Sequence, residues 1–137
     1  MTQGYPTRNF GQPTKRYCQT LDLKNDPELI RTYQVYHSES EMWPEILEGF
    51  HTIGILEMEL YQLEERLFMI VETPLDFDWD TAMERLATLP RQAEWEAFVS
   101  RFQKCSPEDT SNEKWKMMTR IFHIMNVRKL PINKFDV

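Results

Sequence analysis

ILEMELYQLEERLFMIVE, residues 55 to 72, is the stretch that decides the fold. From Ile55 to Tyr61, Leu56, Met58 and Leu60 alternate with Glu57 and Glu59, the period of a strand with one buried side. From Arg66 to Glu72 the run RLFMIVE is dense in β-branched and large apolar side chains, which suits a strand packed on a core. Leu63, Glu64 and Glu65 lie between them as a short polar turn, so the two runs predict an antiparallel hairpin.

Upstream, RYCQTLDLK at 16–24 puts Tyr17, Gln19, Leu21 and Leu23 on one side and Arg16, Cys18, Thr20 and Asp22 on the other, again a strand. Asp26 followed by Pro27 reads as a cap and a first-turn proline. Leu29, Ile30, Tyr33, Tyr36 and His37 then recur at helical spacing as far as Ser38. Trp43-Pro44-Glu45 opens a second helix whose apolar side is Ile46, Leu47 and Phe50, and Gly54 stops it.

Downstream, Asp78 to Leu89 and Arg91 to Gln103 each carry apolar residues at helical spacing, and Pro90 separates them. KCSPEDTSNEK at 104–114 reads as a polar loop, and Met118 to Ile124 as a last strand. Residues 1–14, with Gly4, Pro6, Gly11 and Pro13, read as a flexible lead-in, 15–125 as the folded domain, and 126–137 as a C-terminal tail.

The order is β-α-α-β-β-α-α-β. It predicts an α+β, ferredoxin-like domain, a four-stranded antiparallel sheet with its helices on one face. The other face needs a cover, and a second copy under two-fold symmetry supplies one, so a homodimer is expected.

A chain of 137 residues with 41% hydrophobic and 28% charged residues fits one soluble domain. A formal charge of −6 and the lack of any Lys/Arg run argue against nucleic acid. The longest apolar stretch, Leu67 to Val71, is too short for a bilayer, and MTQGYPTRNF has no apolar signal core, so no membrane partner and a cytoplasmic location are expected. Cys18 and Cys105 stand alone, without metal-ligand spacing, which predicts reduced thiols and no metal site. No nucleophile elbow, P-loop, dinucleotide glycine pattern or zinc-protease motif occurs, and no cofactor is expected.

What remains is a set of titratable and aromatic side chains near element ends. His37 and Tyr33 share a helix face at i, i+4 and could meet one ligand, and an imidazole suits proton transfer near neutral pH. His37 could equally be a solvated ring complementing the negative end of the helix dipole. Trp43 and Trp95 offer flat faces for a sugar, or else core packing. Glu57 and Glu59 share a strand face as either an acid/base pair or a solvated or interfacial surface. His51 and His123 draw no role, and the methionines fit gap-filling core positions.

YQVYHSESEMWPE at 33–45, RLFMIVE at 66–72, Trp95 in a helix and IFHI at 121–124 together resemble the L-rhamnose mutarotase family over about residues 15–125. The resemblance implies a dimeric ferredoxin-like α/β barrel that takes a small-molecule sugar, a 6-deoxyhexose, and exchanges its α and β anomers without a cofactor. It implies that His37 is catalytic as the proton donor, that Tyr33 contacts the sugar, and that Trp95 lines the sugar pocket; Trp43, whose flat face suits a sugar, is expected as a further substrate-binding residue. MELY, RLFMIVET and DFD are similar to members acting on L-fucose, which leaves the choice between L-rhamnose and L-fucose open. Three positions depart from the rhamnose type: a longer link from His37 to Trp43, Glu94 in place of a second tryptophan, and Leu56 in place of a pocket tyrosine. A non-catalytic binding module, or a monooxygenase on the same dimeric barrel, are the competing readings of such a fold.

Overall fold

The computed structural model describes residues 2–125. Its elements are β1 (Thr14–Asp22), α1 (Pro27–Tyr36), α2 (Pro44–Thr52), β2 (Glu57–Leu63), β3 (Arg66–Pro74), α3 (Trp79–Leu86), α4 (Gln92–Ser100), α5 (Ser111–Lys114) and β4 (Lys116–Met117). The expected α+β order therefore holds, with one short helix added before the last strand.

Local chemistry sets the boundaries. The Asp26 carboxylate accepts the amides of Glu28 and Leu29, and Pro27 follows in the first turn, where a missing N–H leaves nothing unpaired. The Asp78 carboxylate caps α3 in the same way by accepting the Thr81 amide. Gly54, at φ +97°, ends α2 in a conformation that side chains rarely adopt. The β2–β3 hairpin turns through Glu64 and Glu65, with Leu63 paired to Arg66 and Glu64 in the left-handed region at φ 54°.

The sheet runs β2-β3-β1-β4, every neighbouring pair antiparallel. The first and last elements thus add to the same edge of the hairpin, the ferredoxin-like arrangement. Alternation gives each strand two sides. Gln19, Leu21 and Leu23 with Leu67, Met69, Val71 and Thr73 are buried and line the side that meets Tyr33, Ile46, Leu86, Trp95, Val99 and Phe102 of the helical layer. Arg16, Cys18, Thr20, Glu57, Glu59, Tyr61, Phe68, Ile70 and Glu72 take the opposite parity and form an open face of intermediate to full exposure.

Two expectations are corrected at the C-terminal end. The last strand is Lys116–Met117, not Met118 to Ile124: after the Met118 amide bonds the Cys18 carbonyl, residues 119–123 have neither helix nor strand. Ile121 is 95% exposed, so a side chain chosen for a strand finds no sheet to pack on. The stretch 104–114 is not loop throughout, because α5 forms inside it. The Thr110 hydroxyl accepts the Glu113 amide while the Glu113 carboxylate accepts that of Thr110, a reciprocal cap that nucleates one turn. Residues 2–13 carry neither helix nor strand, and the tail at 126–137 lies outside the described residues.

Candidate active site

A cavity of about 460 Å³ opens between the helix-facing side of the sheet and the helices. Gln19, Leu67, Met69 and Val71 form its sheet wall, with Met58 and Leu60 from β2. Tyr33 and His37 enter from α1, Trp95, Glu96 and Val99 from α4, Gln103 from just beyond it, and Ser111 and Trp115 from α5 and its end. Its size suits a monosaccharide, and its lining is mostly apolar with few polar groups, as small-molecule sites tend to be.

His37 is the C-cap of α1, and its Nδ1 lies 2.7 Å from the Tyr33 carbonyl oxygen. A carbonyl only accepts, so Nδ1 carries the proton and Nε2 is left with its lone pair. Burial lowers the imidazole pKa below its ordinary 6.5, and the bond to Tyr33 offsets this only in part. The resting ring is therefore neutral at physiological pH. It packs against the Tyr33 ring at 4.2 Å, tilted by 35°, and meets Trp95 edge-to-face at 5.4 Å, so its plane is held from two sides.

The Tyr33 hydroxyl is buried and accepts a 3.2 Å hydrogen bond from Gln103 Nε2. Desolvation raises its pKa far above the phenol value, the bond from Gln103 opposing it and the charge of Glu96 adding to it. The phenol holds its proton and acts as a donor.

Glu96 carries the buried electrostatics. One carboxylate oxygen accepts from Gln92 Nε2 at 2.7 Å, and the other lies 2.6 Å from the Nζ of Lys114, a side chain with no exposure. Lys114 comes from α5, which the Trp79 indole N–H also anchors through Asn112 at 2.9 Å. An uncompensated buried ammonium costs several kcal/mol, so α5 is held down by its need for Glu96 as well as by its cap.

Three of the four residues singled out from sequence, Tyr33, His37 and Trp95, line this one cavity. Trp43 does not line it. It stands behind Trp95 at 5.1 Å, stacked on Phe98 at 5.5 Å, with the Arg91 guanidinium 4.1 Å over its ring. Glu94, where a tryptophan was expected, is exposed and pairs outward with Arg91, and Leu56 is outside the lining. Glu57 and Glu59 lie on the open face, where Glu59 accepts the Tyr61 hydroxyl at 2.7 Å. Among the described residues no group of three or more His, Cys, Asp or Glu is placed to hold a metal ion.

Sequence reasoning passed over Gln19, Glu96, Gln103 and Lys114. Gln19 left a usable signal: it sits in the buried phase of β1 among Tyr17, Leu21 and Leu23, where a carboxamide is out of place. Lys114 left none, since a lysine in a polar stretch reads as solvated.

The sequence model of the L-rhamnose mutarotase family matches residues 16–124. An L-fucose mutarotase of Xanthomonas campestris pv. campestris is 39% identical over 108 residues, covering 79% of this chain and 86% of that protein. A UPF0734 protein of Dictyostelium discoideum is 37% identical over 114 residues, covering 80% and 90%. Among solved structures, an L-rhamnose mutarotase from Formosa agariphila superimposes with a TM-score of 0.60 at 15% identity, covering 80% of this chain and 97% of that one. The tetracenomycin F2 cyclase of Streptomyces glaucescens gives 0.51 at 14% with the same coverages, and these two likenesses speak to the fold alone. With the family match spanning nearly all of the described domain and a relative at 39% identity, the chain belongs to the L-rhamnose mutarotase family.

Proposed function

We propose that the chain exchanges the α and β anomers of a 6-deoxyhexose, L-rhamnose or L-fucose, in the cavity between sheet and helices, with His37 moving the proton. The chain is a sugar mutarotase, an isomerase acting on carbohydrates. The observation that carries the residue assignment is the bond from His37 Nδ1 to the Tyr33 carbonyl, which leaves Nε2 free inside a walled cavity.

Ring opening removes the proton from the anomeric O1, forms the C1–O1 double bond, and breaks C1–O5 with its electron pair going to O5. Neutral His37 takes the O1 proton on Nε2 and delivers it to O5. Rotation about the C1–C2 bond then presents the other face of the aldehyde. Reclosure runs the transfer backwards, Nε2 taking the O5 proton and returning it to O1, so the imidazole accepts and then donates in each half of the cycle and ends as it began. No other reactant is consumed. The Tyr33 hydroxyl donates to a sugar oxygen while keeping its own proton, and the Trp95 face stacks on the ring. Trp43 acts through Trp95, holding that indole in place. The methyl of a 6-deoxy sugar suits the apolar lining of Met42, Phe50, Ile55 and Met58.

The protein is proposed to act as a cytoplasmic homodimer. Half-buried Phe68 and Ile70 at the centre of the open face support burial against a second copy. The free cysteines suit a reducing compartment, and among the described residues no helix is long and apolar enough to cross a membrane.

Exchange NMR at the anomeric protons of L-rhamnose and L-fucose tests the reading. Fast exchange with the wild-type protein, lost in His37→Ala, is expected for one or both sugars. Acceleration of neither sugar would sink it and leave a binding module.

A further inference from the structure

Gln19 and Gln103 are among the most deeply buried polar residues of the chain, at 2% and 1% exposure. Both line the cavity, Gln19 from the centre of the sheet wall and Gln103 from the turn after α4. The Oε1 of each has no hydrogen-bond partner among the described residues. A buried carbonyl oxygen left without a donor costs stability, and native interiors hold few of them. Two polar residues of the lining contributed by the helices are settled: the Tyr33 oxygen accepts from Gln103, and Glu96 is satisfied by Gln92 and Lys114. Besides His37 Nε2, the two carboxamide oxygens are the buried acceptors of the lining that have no partner among the described residues; Gln92 Oε1, which also has none, lies outside the lining.

We propose that Gln19 and Gln103 are the groups that read the substrate's hydroxyls, each Oε1 accepting from one non-anomeric hydroxyl of the bound sugar. The assignment rests on the reading that this cavity takes the sugar. It gives the site a division of labour: His37 works at O1 and O5, while the two carboxamides fix which hydroxyl pattern brings those atoms to Nε2. Gln103 has a second duty, because its Nε2 donation to the Tyr33 oxygen turns the phenolic proton away from itself and into the cavity. Gln19 and Gln103 are thus specificity residues, and Gln103 also positions Tyr33.

A site built to bond a hydroxyl rejects the analogue that lacks it, because the protein group is then left unpaired. Gln19→Met keeps the side-chain shape and removes the polar atoms. Its exchange rates on the preferred sugar and on the 2-, 3- and 4-monodeoxy analogues, set beside those of the wild type, form a cycle. The expected result is a wild-type loss in kcat/KM of about 10-fold or more on the analogue whose hydroxyl Gln19 reads. Gln19→Met should show a similar loss on the full sugar, carried by KM, and no further loss on that analogue. Its melting temperature should match or exceed that of the wild type, since an unpaired polar group has been removed from an apolar wall. Equal losses for wild type and variant on every analogue, or a variant that melts well below the wild type, overturn the assignment while leaving the mutarotase reading intact. A wild type that accelerates none of the sugars overturns the cavity reading and this assignment with it.

Discussion

The two faces of the sheet are built from the same strands in opposite parity, yet they treat polar residues in opposite ways. On the open face the polar groups answer one another: Tyr61 donates to Glu59 at 2.7 Å, Thr14 to Glu72 at 2.6 Å, and Arg66 meets Asp22 at 2.6 Å. On the helix face Leu23, Leu67 and Val71 are at most 1% exposed, and Gln19 stands among them with an oxygen that nothing in the described protein satisfies. A self-satisfied polar group explains itself. One that is buried, unanswered and set in the cavity wall is of the kind that a visiting hydroxyl would answer.

The sharpest way to break this contrast is at His37. Removing the imidazole in His37→Ala should slow anomer exchange by about 10² to 10⁴-fold, read by exchange NMR, with the far-UV spectrum unchanged. Next comes the buried ion pair. Lys114→Met strands the Glu96 charge and should cost about 3–5 kcal/mol in urea unfolding, whereas Lys114→Met with Glu96→Gln removes both charges and should recover most of it. A smaller difference separates the faces themselves. Leu67→Ala on the helix face should cost roughly 2–5 kcal/mol, while Arg16→Ala on the open face should stay within about 0.5 kcal/mol. Equal costs would erase the distinction.

The smallest effect is a pH drift. Burial holds the folded His37 pKa below the unfolded value of 6.5, so the unfolded chain binds more protons across the interval between them. Stability present above 6.5 should fall as pH drops toward the folded pKa, and urea midpoints of His37→Phe should lose that component of the slope.

The sheet was legible because alternation needs no tertiary information: the hairpin 55–72 and the strand at 16–24 announce which parity is buried. The helix starts were legible because Asp26-Pro27 and Trp43-Pro44 are local devices. The last strand failed because its apolar residues, Ile121, Phe122 and Ile124, carry the right composition, while only two residues reach β1 to pair. In the site, i, i+4 spacing sufficed to join Tyr33 and His37. The placing of Trp43 behind Trp95, and of Lys114 against Glu96, depends on how α2 and α5 dock on α4, which no local pattern encodes.

That docking of α5 bears on hydrogen exchange. A four-residue helix has almost no persistence of its own, since nucleation outweighs what one turn returns. The Glu113 and Lys114 amides bond to the Thr110 carbonyl at 3.0 and 3.1 Å, and that turn cannot unwind while Lys114 stays locked on Glu96. Their protons should therefore exchange on the timescale of a buried charge pair coming apart, far more slowly than a surface turn, and so report the opening of the cavity wall directly.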